Sequence, residues 1–210
     1  MKNSKIHLKT FLKMKINNII LKFTLLFFLL YNSVHAVENS TFEIGSDKAK
    51  ITIEVFASLT CPHCAKLHLN VLPEIIKNYV DTKKVKIIFL DFPLDLAALN
   101  AAKIAKCVPR NNLEKYYNNI YIKQGEWTSG RTIAEINSKI KKIASETGIT
   151  EQDFERCLKN DKNEETVLKS RIEAQKKYNI SGTPTIIVNN KKYDGNYTYV
   201  DLAKYIDKLN

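Results

Sequence analysis

The stretch Ile51-Thr52-Ile53-Glu54-Val55-Phe56-Ala57-Ser58-Leu59-Thr60-Cys61-Pro62-His63-Cys64-Ala65 decides the reading of this chain. A short apolar run of strand length ends at Ala57, two thiols three positions apart follow, and from Ala65 to Val80 the apolar residues recur at helical spacing (Leu67, Val71, Ile75, Ile76). A strand that runs into CxxC and then into a helix is the layout of a dithiol/disulfide redox site. A helix starting near Cys61 puts Pro62 at its first position, where a fixed φ and a missing N–H cost nothing. The unpaired backbone N–H groups and the positive end of the helix dipole then face the Cys61 sulfur and favour its thiolate, the nucleophilic form. Cys64, one turn on, points back into the helix. Cys61 is thus the expected attacking thiol and Cys64 the resolving one, with His63 between them placed to add to thiolate stabilisation.

Other readings of the same residues stand beside this one. The spacing could be accidental. Cys61, Cys64 and His68 could hold zinc, although a fourth ligand is missing and structural zinc sites are closed by four; no metal is expected. His68 otherwise reads as a residue of the helix surface.

Outward from the motif, Val85 to Phe92 makes a second strand, and the two strands with the helix between them form a βαβ unit with parallel strands. About five helices follow with little strand character between them. They are the alanine-rich run 94–107, the aromatic run 113–123, a face of Ile133, Ile136, Ile140 and Ile143, a segment opened by the capping box Thr150/Asp153, and 164–178. The tail returns to strand at Thr185 to Val188, turns at Asn189-Asn190, pairs back over Lys191 to Tyr193 and ends in a helix capped by Thr198 and Asp201. The fold class is therefore α/β, a small mixed sheet interrupted by a helical insertion. The expected segments are 1–36 as leader, 37–93 and 179–210 as the two halves of the sheet domain, and 94–178 as the insertion.

The first 36 of the 210 residues carry Lys2, Lys5, Lys9, Lys13, Lys15 and Lys22 and no acid, then an apolar stretch from Phe23 to Tyr31 and small residues around Val34-His35-Ala36. That is the pattern of a secretory signal peptide, its apolar core short of the roughly 20 residues a spanning helix needs; an uncleaved anchor from Ile19 is the alternative. Removing those lysines lowers the formal charge from +11 to +5, with 27 basic residues against 22 acidic ones. The remaining lysines are scattered among glutamates, with no basic stripe and interleaved aromatics, so nucleic acid is not an expected partner. An export signal and four cysteines fit an oxidising compartment. Cys107 and Cys157 lie inside the insertion and read as a structural pair, with buried free thiols as the alternative.

Cys61-Pro62-His63-Cys64 together with Gly182-Thr183-Pro184-Thr185 resembles the DsbA family of bacterial exported thiol-disulfide oxidoreductases, over essentially the whole chain beyond residue 36. The resemblance implies a thioredoxin fold of βαβ and ββα halves split by a helical domain, in agreement with the elements above. Asp91-Phe92-Pro93-Leu94-Asp95 and the Cys107/Cys157 pair look like the branch that carries a second disulfide in that domain. By resemblance Pro184 is a cis-proline facing the Cys61–Cys64 disulfide, and Thr183 offers main-chain groups to a substrate strand. Also implied are a periplasmic monomer that oxidises reduced exported proteins, a membrane DsbB-like quinone-coupled partner that reoxidises it, and no cofactor. Isomerase or reductase action, and a non-catalytic surface antigen or binding protein on the same scaffold, are the rival readings. One position departs from the family pattern: the acid common six residues before the first cysteine is Val55 here, and Glu54 falls one residue early. A one-residue offset in a strand turns the side chain to the opposite face, so Glu54 is expected to be a structural or surface residue and not a proton relay.

Overall fold

Ile51, Ile53 and Val55 are each at most 2% exposed, and their alternation sets one face of the strand Ile51–Ala57 into the main core. The computed structural model describes residues 41–209, and the proposed leader 1–36 lies outside them. That strand, β2, follows β1 (Phe42–Ile44) and precedes β3 (Val85–Asp91), β4 (Thr185–Val188) and β5 (Lys191–Lys192). The sheet order is β1-β3-β2-β4-β5. β2 and β3 run parallel, from Ile51 opposite Val85 to Ala57 opposite Asp91, and the other neighbours are antiparallel. Asn189 and Asn190 both have positive φ (47° and 64°), the conformation a two-residue hairpin turn requires, and Asn tolerates it better than most residues. The β5 edge carries two exposed lysines, which discourage pairing with another chain.

Between β2 and β3 runs one helical stretch, α1, over residues 62–80, in which α-helical turns (Pro62–Lys66, Leu72–Ile75) alternate with π-helical ones (Leu67–Val71, Ile76–Val80). Six further helices separate β3 from β4 among the described residues: α2 (Leu96–Ala105), α3 (Leu113–Ile122), α4 (Gln124–Trp127), α5 (Ile133–Ser145), α6 (Glu151–Leu158) and α7 (Asp161–Tyr178), with a 3₁₀ turn at Arg110–Asn112. The last helix, α8, is Tyr199–Asp207. Helix starts follow their caps. Asp95 accepts from Ala98 N–H, so α2 begins at Leu96 and not at residue 94; Asn160 accepts from Asn163 N–H, so α7 begins three residues before the expected Glu164. Thr150 and Thr198 cap α6 and α8 as their capping boxes predict. β1, α4 and the 3₁₀ turn are additions to the expected elements, β3 stops at Asp91, and β5 stops at Lys192.

The sheet separates two apolar clusters. One face of β2 and β3 packs with Leu67, Val71, Leu72 and Ile75 of α1 and continues into the insertion through Tyr116 and Trp127. The other face, through Phe56 and Ile187, packs with Ala174 of α7. Glu54 lies on that second face and accepts a hydrogen bond from the Tyr178 hydroxyl (2.8 Å), while Val55 is buried on the first. Cys107 and Cys157 are joined by a disulfide, Cα–Cα 6.3 Å, which ties the chain just after α2 to α6. No helix among the described residues is long and apolar enough to cross a membrane.

Candidate active site

Cys61 is the N-cap of α1, in extended conformation (φ −79°, ψ 119°), with Pro62 at the first helical position. Its carbonyl already accepts two helical N–H groups, from Cys64 and Ala65, each at 3.1 Å. Both thiols are free and buried, Cys61 with 6% and Cys64 with 2% of its surface exposed. Pro62 and His63 are exposed at the helix start. Across from them the Thr183–Pro184 peptide bond is cis, and the Cys61 Sγ donates to the Thr183 carbonyl oxygen at 3.4 Å. Two segments 122 residues apart in sequence are thereby brought into contact at one sulfur.

The two thiols differ in electrostatics. Burial pushes the Cys64 thiol up to about 12; the Thr183 hydroxyl and the Ser58 backbone lower it in part, and the neighbouring Cys61 adds to the rise. The Thr183 hydroxyl is buried against that sulfur yet makes no hydrogen bond of ordinary geometry. Tyr121 stands nearby, its phenol held well above its usual range by burial and then by the charges of Cys64 and Asp91, so it stays neutral beside the dithiol. Asp91 is itself buried and ion-paired to Lys106 at 2.6 Å. His63, Lys66, Leu67, Thr183, Pro184, Tyr197 and Thr198 line a cleft of about 410 Å³ beside Cys61.

His68 is a correction to the sequence reading. It is not on the helix surface: it is 9% exposed, its Nε2 lies 2.7 Å from Asn118 Oδ1, and its ring packs at 4.8 Å from that of Tyr121. The π-helical turn Leu67–Val71 swings residues one place beyond the expected stripe toward the core, and both Leu67 and His68 are buried there. Among the described residues no cluster of three His, Cys, Asp or Glu side chains could hold a metal, so Cys61, Cys64 and His68 do not form a zinc site.

Sequence reasoning missed two supports of the motif. Thr60 donates to Asp95 Oδ2 (2.7 Å), and Gln124 of α4 donates through Nε2 to the carbonyls of Leu59 (2.8 Å) and Cys61 (3.1 Å). Asp95 carried a legible signal as a cap before α2; Gln124 carried none, since its partners lie 63 and 65 residues away.

A helix-capping CxxC opposite a cis-proline on a sheet of this order is the arrangement of a thioredoxin-class dithiol site. The sequence profile described as Thioredoxin matches residues 37–208. The chain belongs to the thioredoxin family and, within it, to the DsbA-like thiol-disulfide oxidoreductases. It is 27% identical to Wolbachia pipientis alpha-DsbA1, with a TM-score of 0.73 over 81% of this chain and 90% of that one. BdbD from Bacillus subtilis, at 24% identity and a TM-score of 0.72 over 80% of this chain and 92% of that one, shares the fold. Among curated relatives, a Rickettsia conorii protein provisionally named a protein-disulfide oxidoreductase is 29% identical over 173 residues, 82% of this chain and 61% of its own. The Bacillus subtilis disulfide bond formation protein D is 27% identical over 178 residues, 79% of this chain and 75% of its own. The chain spans about three fifths of the length of the rickettsial relatives it matches.

Proposed function

We propose that this chain is an exported dithiol oxidase that introduces disulfides into reduced proteins through Cys61 and Cys64. In the oxidised protein a substrate thiolate attacks Cys61 Sγ, the Cys61–Cys64 bond breaks, and Cys64 leaves as a thiolate that takes up a proton. A second substrate thiolate then attacks the substrate sulfur of the mixed disulfide and expels Cys61 as a thiolate. The substrate loses two thiol protons and two electrons, the disulfide of the protein takes both up, and the protein leaves as the dithiol. The reading rests above all on the asymmetry of the pair: Cys64 is pushed up to about 12 and is 2% exposed, whereas Cys61 caps the helix and meets the Thr183 carbonyl. Once expelled and protonated, the buried Cys64 thiol is a poor nucleophile and returns to Cys61 slowly, which leaves the mixed disulfide open to the second substrate thiolate.

In this reading the Thr183 backbone and Pro184 wall the strand of substrate beside Cys61, and exposed His63 tunes the sulfur. The segments 37–93, 94–178 and 179–210 serve as the split redox domain and its insertion, and residues 1–36 as the export signal to the periplasm. A membrane quinone-coupled DsbB-like partner accepts the electrons, and the protein works as a monomer without cofactor.

The test is oxidation of a reduced two-cysteine peptide in glutathione buffer. Cys61→Ala should abolish it, and Cys64→Ala should accumulate a peptide adduct at Cys61; unchanged activity in Cys61→Ala refutes the site. The reduction potential separates oxidase from reductase, since DsbA lies at about −120 mV and thioredoxin at about −270 mV. A value near thioredoxin's would sink the oxidase assignment.

A further inference from the structure

Lysines that are scattered along the sequence are gathered by the fold. β2 and β3 start side by side, and the Ile51 N–H donates to the Lys84 carbonyl (3.3 Å), so Lys50 and Lys84 lie at the end of the sheet away from Cys61. Lys48 sits in the turn before β2 and Lys83, with φ 62°, in the turn before β3. The β4–β5 hairpin turns at the same end, where the Thr52 N–H donates to Asn189 Oδ1 (2.9 Å), and Lys191 and Lys192 follow. Two helices finish there as well. The Lys177 ammonium of α7 donates to Asn190 Oδ1 (3.3 Å). The Tyr79 hydroxyl, from the end of α1, donates to Asp207 (2.9 Å), the last residue of α8, and Lys208 comes next. All eight lysines are exposed, and none has a carboxylate at ion-pair distance among the described residues. With Lys86, which bridges Glu43 and Asp47, this end holds nine lysines against five acids, the other three being Glu54, Asp81 and Asp207. Residues 37–210 carry 27 basic and 22 acidic residues, so the rest of them hold 18 against 17 and are nearly neutral. The excess charge sits at one end.

We propose that this lysine end is a docking surface for an anionic lipid membrane, which holds the Cys61 cleft out on the far side. The seven residues of β2 span about 20 Å at the rise of a strand, so the cleft stays open while the opposite end is covered. The cations are all lysine, compact hydrated charges on flexible stems, which suit a diffuse layer of headgroups better than bidentate capture of single phosphates. The rings at this end, Tyr79 and Tyr178, are buried or half-buried, and Lys177 Nζ covers Tyr178 at 4.5 Å, so no free ring is offered for stacking on bases. Leu209, 43% exposed beside Lys208, supplies an apolar tip for the boundary between headgroups and acyl chains. Each lysine near an anionic bilayer strengthens binding by about fivefold, and such binding is weakened by salt.

Sedimentation of the full chain with vesicles of equal parts phosphatidylglycerol and phosphatidylcholine tests the proposal. Lys84→Gln/Lys191→Gln should weaken binding by about 25-fold. Lys159→Gln/Lys162→Gln removes two exposed lysines at the start of α7, about 20 Å along that helix from Lys177, and should leave binding unchanged. Residues 1–36, with lysines of their own, are the same in both variants, so the difference reads the end of the sheet. Equal weakening in the two variants would show that only net charge matters, and binding moved by neither would place it elsewhere in the chain; each result overturns the proposal. A preference for a duplex oligonucleotide over the vesicles at equal phosphate would replace lipid by nucleic acid and overturns it too. The wild type decides the question without any variant. On the vesicles, acetylation of amines read by mass spectrometry should spare Lys50, Lys84 and Lys191 and still label Lys159 and Lys162, while iodoacetamide should alkylate reduced Cys61 as fast as in free solution. Unprotected Lys50, Lys84 and Lys191, or a slowed Cys61, overturns the proposed orientation. None of these readouts uses dithiol exchange, so the oxidase reading and the docking surface stand or fall separately.

Discussion

Cys64 and His68, both buried in α1, respond to burial with opposite signs because one is neutral when protonated and the other when deprotonated. For Cys64 the folded value is raised from 9.0 to about 12, so in the reduced protein its contribution to stability is full below pH 9 and is lost as pH rises toward 12. For His68 burial lowers the value from 6.5, opposed in part by the bond to Asn118. The folded state favours neutral imidazole, so its contribution is present above pH 6.5 and is lost as pH falls below that, where the unfolded chain takes up the proton first. Urea unfolding at about pH 7.5 and about pH 5 should show the wild type losing more stability on acidification than His68→Gln, which keeps a donor for Asn118 but does not titrate. Equal losses would show that His68 is not a source of the acid sensitivity. The residues of the proposed site were legible because CxxC and Thr-Pro are local patterns. His68 was misread because helical periodicity assumes 3.6 residues per turn, and the π-helical turn breaks that count.

At the scale of elements, β2 (Ile51–Ala57) and β4 (Thr185–Val188) have the bounds expected of them, since each is an apolar run closed by turn or loop residues. β1 was missed because Phe42–Ile44 is three residues long and shows no period; it is a strand only because Phe42 stacks on Phe89 and the β3 edge offers partners. α4 was missed because four residues containing a glycine carry no helical signal of their own. Asp95 joins element and site. One of its carboxylate oxygens caps α2 at Ala98 N–H (2.7 Å) and the other accepts from Thr60 (2.7 Å). Asp95→Ala should lower the unfolding free energy by about 1–2 kcal/mol, chiefly through the lost cap, and Asp95→Asn should recover most of it because an amide oxygen caps as well. Loss of equal size in both variants would mean that the carboxylate charge accepting from Thr60, and not the cap, carries the energy.

Over the whole molecule, the split of a sheet domain by helices followed from the order of patterns along the chain, a βαβ unit, a helical stretch, then a hairpin and helix. What could not follow from it was how the insertion meets the CxxC segment, because the Gln124 and Asp95 contacts depend on tertiary packing between residues far apart in sequence. The Cys107–Cys157 disulfide acts at this largest scale. It closes a loop with a sequence separation of 50, which embraces α3, α4, α5 and most of α6 and therefore the helix that carries Gln124. In the chain-entropy account a loop of that length restricts the unfolded ensemble by about 4 kcal/mol, an upper figure because real unfolded chains retain structure. The double variant Cys107→Ala/Cys157→Ala should fold but unfold at lower urea, with a loss of about 2–4 kcal/mol. Its unfolded state, freed of the crosslink, exposes more surface, so the dependence of unfolding free energy on urea should steepen at the same time. Those two changes together separate the entropic role from a packing defect. A cavity left by the two sulfurs would lower stability with the slope unchanged, and in that outcome the disulfide's contribution lies in the folded core and not in the unfolded chain.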